Sequence, residues 1–266
     1  MSHVFDEAIT VQAQSNGVFH AVTHDAYNNM VGPFGGITAA TVVNALQQHP
    51  DVLGGPLALT INYAAPVANG TLDLRTSIVR TNRTNQHWTF TIEQEGEVVS
   101  TGNAVFGVRR ESWSDTEAVK PSAPPPETVA AVDFPEFIAW ARNYEKRFVV
   151  GGLGDDKSPD STSTLWLRDL PERPLDYPSL ASMADAFFPR VFLRHGTYMP
   201  AGTITLTTYF HATPAELATQ GSDHVLGTAQ AGRFGNGHFD QSSQLWGGDV
   251  LLATSHQLVY FKDLQG

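Results

Sequence analysis

The chain has 266 residues, 41% of them hydrophobic and 10% aromatic, which is enough apolar material for one large or two small domains. Its formal charge of −11 argues against a broad electrostatic hold on nucleic acid or an anionic membrane. Cysteine is absent, which removes disulfides, thiolate catalysis and cysteine-held metals.

The opening stretch MSHVFDEAIT has no basic region followed by an apolar run, and no run of 18 apolar residues occurs, so a cytoplasmic protein without membrane insertion is expected. AITVQAQ and GVFHAVTHD then read as an opening pair of strands. Residues 32–50, GPFGGITAATVVNALQQHP, begin with glycines and continue through small and aliphatic residues with no acid or base before His49. A buried helix is expected there. Strand-like segments follow: PLALTINYAAPV, GTLDLRTSIVR, QHWTFTIEQEG and EVVSTGNAVFGVRR. The third alternates Trp88, Phe90 and Ile92 with Thr89, Thr91 and Glu93, the pattern of a half-buried strand. RTNRTN and QEGE supply turns.

Residues 113–136 are rich in Pro, Ser and acids and read as an exposed linker. Beyond them FIAWARNYEKRFVVGG suggests a short helix running into a strand, and STSTLWLRDL a further strand. In SLASMADAFFPRVFLRH (179–195), Leu180, Met183, Ala184, Phe187, Phe188, Val191 and Phe192 recur at helical spacing along one broad apolar face. Asp185 lies at the edge of that face, beside Ala181, Phe188 and Pro189, so its carboxylate is expected to be only partly hydrated. GTITLTTYFHATP, SDHVLGTAQAGRF, HFDQSSQLWGG and DVLLATSHQLVYF complete the chain as strands.

The second half thus repeats the first. TINYAAP pairs with TTYFHATP and EGEVVSTGNAVF with GGDVLLATSHQLVYF, at an offset of about 150 residues. Each half is two strands, a buried helix and four strands, which in that order is the hotdog arrangement. The expected class is α+β, a double hotdog of two tandem repeats, each a central helix wrapped by an antiparallel sheet. Boundaries fall at 1–112, 113–136 and 137–266.

GPFGGITAA at the first helix, LWLRD before the second, SLASMADAFFP on it, GTITLTTYFH on the next strand and LLATSHQLVYF at the end together resemble the acyl-CoA thioesterase II family. These are double-hotdog members of the 4-hydroxybenzoyl-CoA thioesterase superfamily, and the likeness spans nearly the whole chain. The resemblance implies an enzyme of lipid metabolism that hydrolyses fatty acyl-CoA to free acid and CoA, with no cofactor and no metal. Carried over by motif, the family's aspartate is Asp185, its hydroxyl Thr203 and its amide Gln257. Thr205 is the fallback if the strand register slips by two. Where the family often has Gly-Gly-Gln, this chain has Gly35-Gly36-Ile37. The first helix has no acid, so one active site per chain is inferred.

The chemistry suits these residue types. A thioester carbonyl is already electrophilic, so a water must be placed and deprotonated and the oxyanion stabilised. Asp185, desolvated by Phe and Ala neighbours, would have its pKa raised toward neutral and serve as general base. Thr203 and Gln257 can orient a water without competing for its proton. Backbone N–H groups at Gly35 and Gly36, at a helix start, could meet the oxyanion.

Other motifs carry less. The ten histidines form no recognised metal spacing, GRFGNG joins two strands instead of opening a helix, and no Gly-x-Ser-x-Gly occurs. Arg80, Arg83, Arg109 and Arg110 cluster near strand ends, where CoA phosphates or solvent could meet them. A hotdog hydratase or dehydratase would resemble an Asp-x4-His pair, but here residue 190 is arginine. A non-catalytic acyl-CoA-binding protein is the other alternative, kept open by Gly-Gly-Ile. Exposed sheet edges are compatible with a homodimer or higher assembly.

Overall fold

The computed structural model describes residues 2–14, 17–154 and 157–263. The first half comprises helix α1 (Val4–Ala8), strands β1 (Val11–Ala13) and β2 (Val18–Val22), helix α2 (Gly35–Gln47), then β3 (Gly55–Tyr63), β4 (Thr71–Thr81), β5 (Asn85–Gln94) and β6 (Glu97–Gly107). The second half opens with β7 (Tyr144–Val150) and β8 (Ser163–Asp169), then α3 (Tyr177–Met183) and α4 (Val191–His195). It continues with β9 (Ala201–Phe210), α5 (Pro214–Gln220), β10 (Val225–Gln230), the short β11 (Phe234–Gly235), β12 (His238–Gly247) and β13 (Val250–Phe261).

All of these strands join one sheet in the order β1-β2-β4-β5-β6-β3-β9-β13-β12-β10-β8-β7, with β11 attached to β12. From the centre outward the order is the same on both sides, as expected of a double hotdog. The halves meet where β3 and β9 run antiparallel with Thr60 opposite Thr207, their hydroxyls 3.0 Å apart. A twofold rotation about that pair carries Pro56 onto Thr203 and Tyr63 onto Phe210. The ladders β3–β6 and β9–β13 then carry Asn103 onto His256 and Ala104 onto Gln257.

The expected alternation on β5 holds, with Trp88, Phe90 and Ile92 buried and His87 and Thr89 exposed. Helix α2 is buried on nearly every side, in keeping with its mostly small and aliphatic, charge-free composition. It packs antiparallel to α3: Gly36 at its start approaches Ser182 O near the end of α3, while Asn44 and Gln47 share a cleft with Tyr177 and Pro178 at the start of α3.

The single helix expected over 179–195 is a correction. Helix α3 starts earlier, at Tyr177, where the Asp176 side chain accepts from Ser179 N, and it stops at Met183. Pro189 bars continuation, because its ring would clash with the carbonyl four residues back, that of Asp185. Residues 184–190 instead form an irregular turn whose carbonyls are met by side chains. Ser255 Oγ donates to Ala184 O, Lys146 Nζ to Ala186 O and Arg190 Nε to Phe188 O.

Helix α5 was not expected. Its capping box, Thr213 with Glu216, was readable as Thr-x-x-Glu, with Pro214 in the first turn. The segment 113–136 lies along the outer strands of the second half, where Trp166 Nε1 donates to Pro124 O and Arg147 to Val129 O.

Candidate active site

Asp185 occupies the turn after α3 and is 8% exposed, more buried than its position on a helix edge suggested. Gln257 Nε2, on β13, donates to its Oδ1 at 2.8 Å. The Gly36 N–H, in the first turn of α2, also donates to the carboxylate. Helix α2 has no side-chain N-cap, since Phe34 fills that position, so an acid from the other half of the molecule meets one of its orphan N–H groups. Burial pushes the Asp185 carboxyl up to about 7, against the lowering pull of Gln257, Gly36 and the charge of Lys146. A carboxyl held there can accept a proton near neutral pH.

Thr203 Oγ1 donates to Gln257 Oε1 at 3.2 Å, so the structure brings Asp185, Gln257 and Thr203 into one hydrogen-bonded row. A β-bulge decides which threonine joins it. On β9, Thr205 pairs with Leu258 but Thr203 pairs with Val259, leaving Ile204 as the extra residue. Without it Thr203, Thr205 and Thr207 would share the outer face; the bulge turns Thr203 inward and leaves Thr205 out. Gln257 sits opposite Leu206 and Gln241, all three buried, whereas His256 points to the exposed face.

Glycine at 35 and 36 is required by close approach. A Cβ on Gly35 would lie 2.9 Å from Asp185 Oδ2 and 3.1 Å from the Tyr63 hydroxyl, and one on Gly36 would strike Ser182 O at 2.7 Å. Tyr63 Oη donates to Gly35 O at 2.8 Å, anchoring the peptide beside the acid. Burial pushes the Tyr63 hydroxyl well up, and the Asp185 charge adds to this. Sequence reasoning missed Tyr63, although the repeat carried a signal: TINYAAP has tyrosine where its partner segment has Phe210.

Lys146, on β7, was also missed. Its neighbours Tyr144 and Phe148 alternate inward, which placed the lysine on the inner face. Of the clustered arginines, Arg109 turns onto the chain itself, donating to Pro56 O and Phe210 O, and Arg80 donates to Asn82 Oδ1. Arg190, at the place a hydratase histidine would take, is fully buried and donates to Phe188 O, Ser161 O and Ser163 Oγ. Among the described residues, no group of three His, Asp or Glu side chains is placed to hold a metal ion. No helix of the described residues is long and apolar enough to cross a membrane.

In class, then, the molecule is a double-hotdog protein with a buried acid set between one helix start and the central strands. The chain belongs to the acyl-CoA thioesterase family: residues 23–107 match the family's N-terminal domain and residues 117–261 its C-terminal domain. Among solved structures it is similar to a hot dog fold protein of unknown function from Alicyclobacillus acidocaldarius, at 46% identity over 99% of both chains with a TM-score of 0.95. The fold is shared with the TesB protein of Mycobacterium avium subspecies paratuberculosis, at 16% identity over 97% of this chain and 98% of that one, TM-score 0.81. It is shared too with the acyl-CoA thioesterase II TesB2 of Mycobacterium marinum, at 16% identity over 98% and 99% of the two chains, TM-score 0.79. No curated protein is matched by the sequence.

Proposed function

We propose that the chain hydrolyses fatty acyl-CoA thioesters to free acid and CoA, with the attacking water activated by Asp185. Family membership supports thioesterase activity in general. The observation that carries the mechanism is the Asp185 carboxyl, buried, pushed up to about 7 and in a row with Gln257 and Thr203.

Water held near Asp185 and Thr203 gives its proton to the carboxylate as its oxygen attacks the thioester carbon. Negative charge develops on the carbonyl oxygen at the start of α2. Once protonated, Asp185 holds the Gly36 N–H less strongly, which frees that donor, with Gly35 N–H beside it, for the oxyanion. The C–S bond then breaks, the carbonyl re-forms as the free acid, and the CoA thiolate recovers the proton from Asp185. Neither Thr203 nor Gln257 changes protonation; both hold geometry.

The test is release of free thiol from a panel of acyl-CoAs, wild type against Asp185→Asn. Loss of at least about 10²-fold in turnover is expected for removal of a general base. Hydrolysis that survives the substitution overturns the mechanism. Tight binding of acyl-CoA by the wild type without turnover would instead mark a binding protein.

A further inference from the structure

Lys146 is 2% exposed, and its ammonium lies 3.9 Å from the centre of the Trp140 ring, 5.2 Å from Phe134 and 5.7 Å from Tyr144. Nζ donates to Ala186 O at 3.0 Å. Filling this space does not require a charge. A methionine or leucine could occupy an aromatic box without the cost of desolvating an ammonium, and buried charges without a close carboxylate are rare.

Two contacts give the charge a purpose. Ala186 directly follows Asp185 in the irregular turn, where no helix hydrogen bond holds the carbonyl, so the lysine clamps the peptide that carries the acid. Trp140, under the ammonium, stacks at 3.9 Å and 8° on Phe34, the residue that opens α2 just before Gly35 and Gly36. One side chain on β7 thereby braces both sides of the site, the acid and the helix start that donates to it.

We propose that Lys146 is a positioning residue for Asp185: it fixes the 185–186 peptide through Ala186 O, and its charge tunes the proton affinity of the acid. This rests on the reading of Asp185 as the base. Two titratable groups face the carboxylate, Lys146 from β7 and Tyr63 from β3. Those facing the ammonium are Asp185 and, on its own strand, Tyr144, whose hydroxyl is 2.7 Å from Ser182 Oγ. Tyr27, Asp169 and Arg173 act on Tyr144 from farther away. Burial pulls Lys146 down to about 7 while the Asp185 charge holds it up, so the field of each group supports ionisation of the other.

The experiment follows the Asp185 side-chain carboxyl by carbon-13 NMR, assigned by its loss in Asp185→Asn, across pH in the wild type, Lys146→Gln and Lys146→Arg. Lys146→Gln retains a donor for Ala186 O and removes the charge. Its Asp185 midpoint is expected to rise by about one pH unit, and the acid limb of thioester hydrolysis to move with it while KM stays within about twofold. Lys146→Arg, which keeps the charge, should titrate within a few tenths of a unit of the wild type. An unchanged midpoint in Lys146→Gln overturns the proposal. A nitrogen-15 titration of Lys146 Nζ in the wild type tests it without any variant: an ammonium at pH 6 is required, and a neutral amine there overturns it. Because the carboxyl titration needs no turnover, a shifted midpoint in a protein that hydrolyses nothing supports the lysine's role and sinks the thioesterase reading. Normal hydrolysis with an unshifted midpoint does the reverse.

Discussion

The two halves share a backbone and differ in what they place at corresponding points. Around the twofold axis, Thr203 answers to Pro56, Gln257 to Ala104 and Tyr63 to Phe210. Even the bulge is duplicated, with Leu57 as the extra residue between Pro56 and Ala58 where Ile204 stands between Thr203 and Thr205. In the first half the bulge aims a proline that cannot donate; in the second it aims a hydroxyl. Near the end of α2 Asn44 donates to Ile9 O, whereas the turn after α3 carries Asp185. A cleft of about 970 Å³ remains at the first-half position, lined by Asn44, Gly55, Arg109 and Tyr177 among others. The backbone is thus repeated at two places, and the hydrogen-bonded row of acid, amide and hydroxyl stands at one of them.

This comparison predicts asymmetric responses. Asp185→Asn should lower turnover about 10³-fold, whereas Asn44→Ala, at the end of α2, should leave it within about twofold. Equal losses in free-thiol assays would mean that both places work. Gln257→Ala should cost about 10²-fold, since it strips the carboxylate of its amide donor, and Ala104→Gln at the matching point should add no turnover. Smaller again, Thr203→Val should cost about tenfold while Thr205→Val, on the outer face, costs nothing measurable. If the Thr205 variant is the impaired one, the inward turn at Ile204 is wrong.

The smallest effect concerns stability. The folded Asp185 carboxyl is raised to about 7, so it keeps a proton that the unfolded chain releases from about pH 4 upward. Wild-type stability therefore falls as pH rises through that window. Asp185→Asn escapes the loss, so its melting temperature should match the wild type near pH 4 and exceed it by a few degrees at pH 8. A variant that melts lower at pH 8 would show that the ionised carboxylate stabilises the fold.

Much of the fold was legible because it is written in short-range patterns. The period-two alternation of Trp88, Phe90 and Ile92 marked β5, the charge-free run after Gly35 marked α2, and the matched segments disclosed the repeat. Legibility failed where a pattern continued past the point at which the backbone stopped. Apolar residues recur at helical spacing up to Phe192, yet the helix ends at Met183, Pro189 bars one helix from running on to Val191, and the break leaves Asp185 in a turn. Tyr63 and Lys146 escaped notice for a different reason. A polar residue on an inward strand face has no meaning until its partners are known, and theirs lie at Gly35 and Ala186.

By itself the sequence determined the order of the main strands, their duplication around two central helical segments and the lone acid of residues 179–195, because these follow from local periodicity and composition. Only the tertiary structure decided that Thr203 and not Thr205 turns inward, that the Asp185 carboxylate meets the start of α2, and that Lys146 braces it. Asp185 and Gln257 are 72 positions apart, and Gly36 belongs to the other half. Contacts at such range depend on strand register and on the packing of two halves, and no local pattern encodes those.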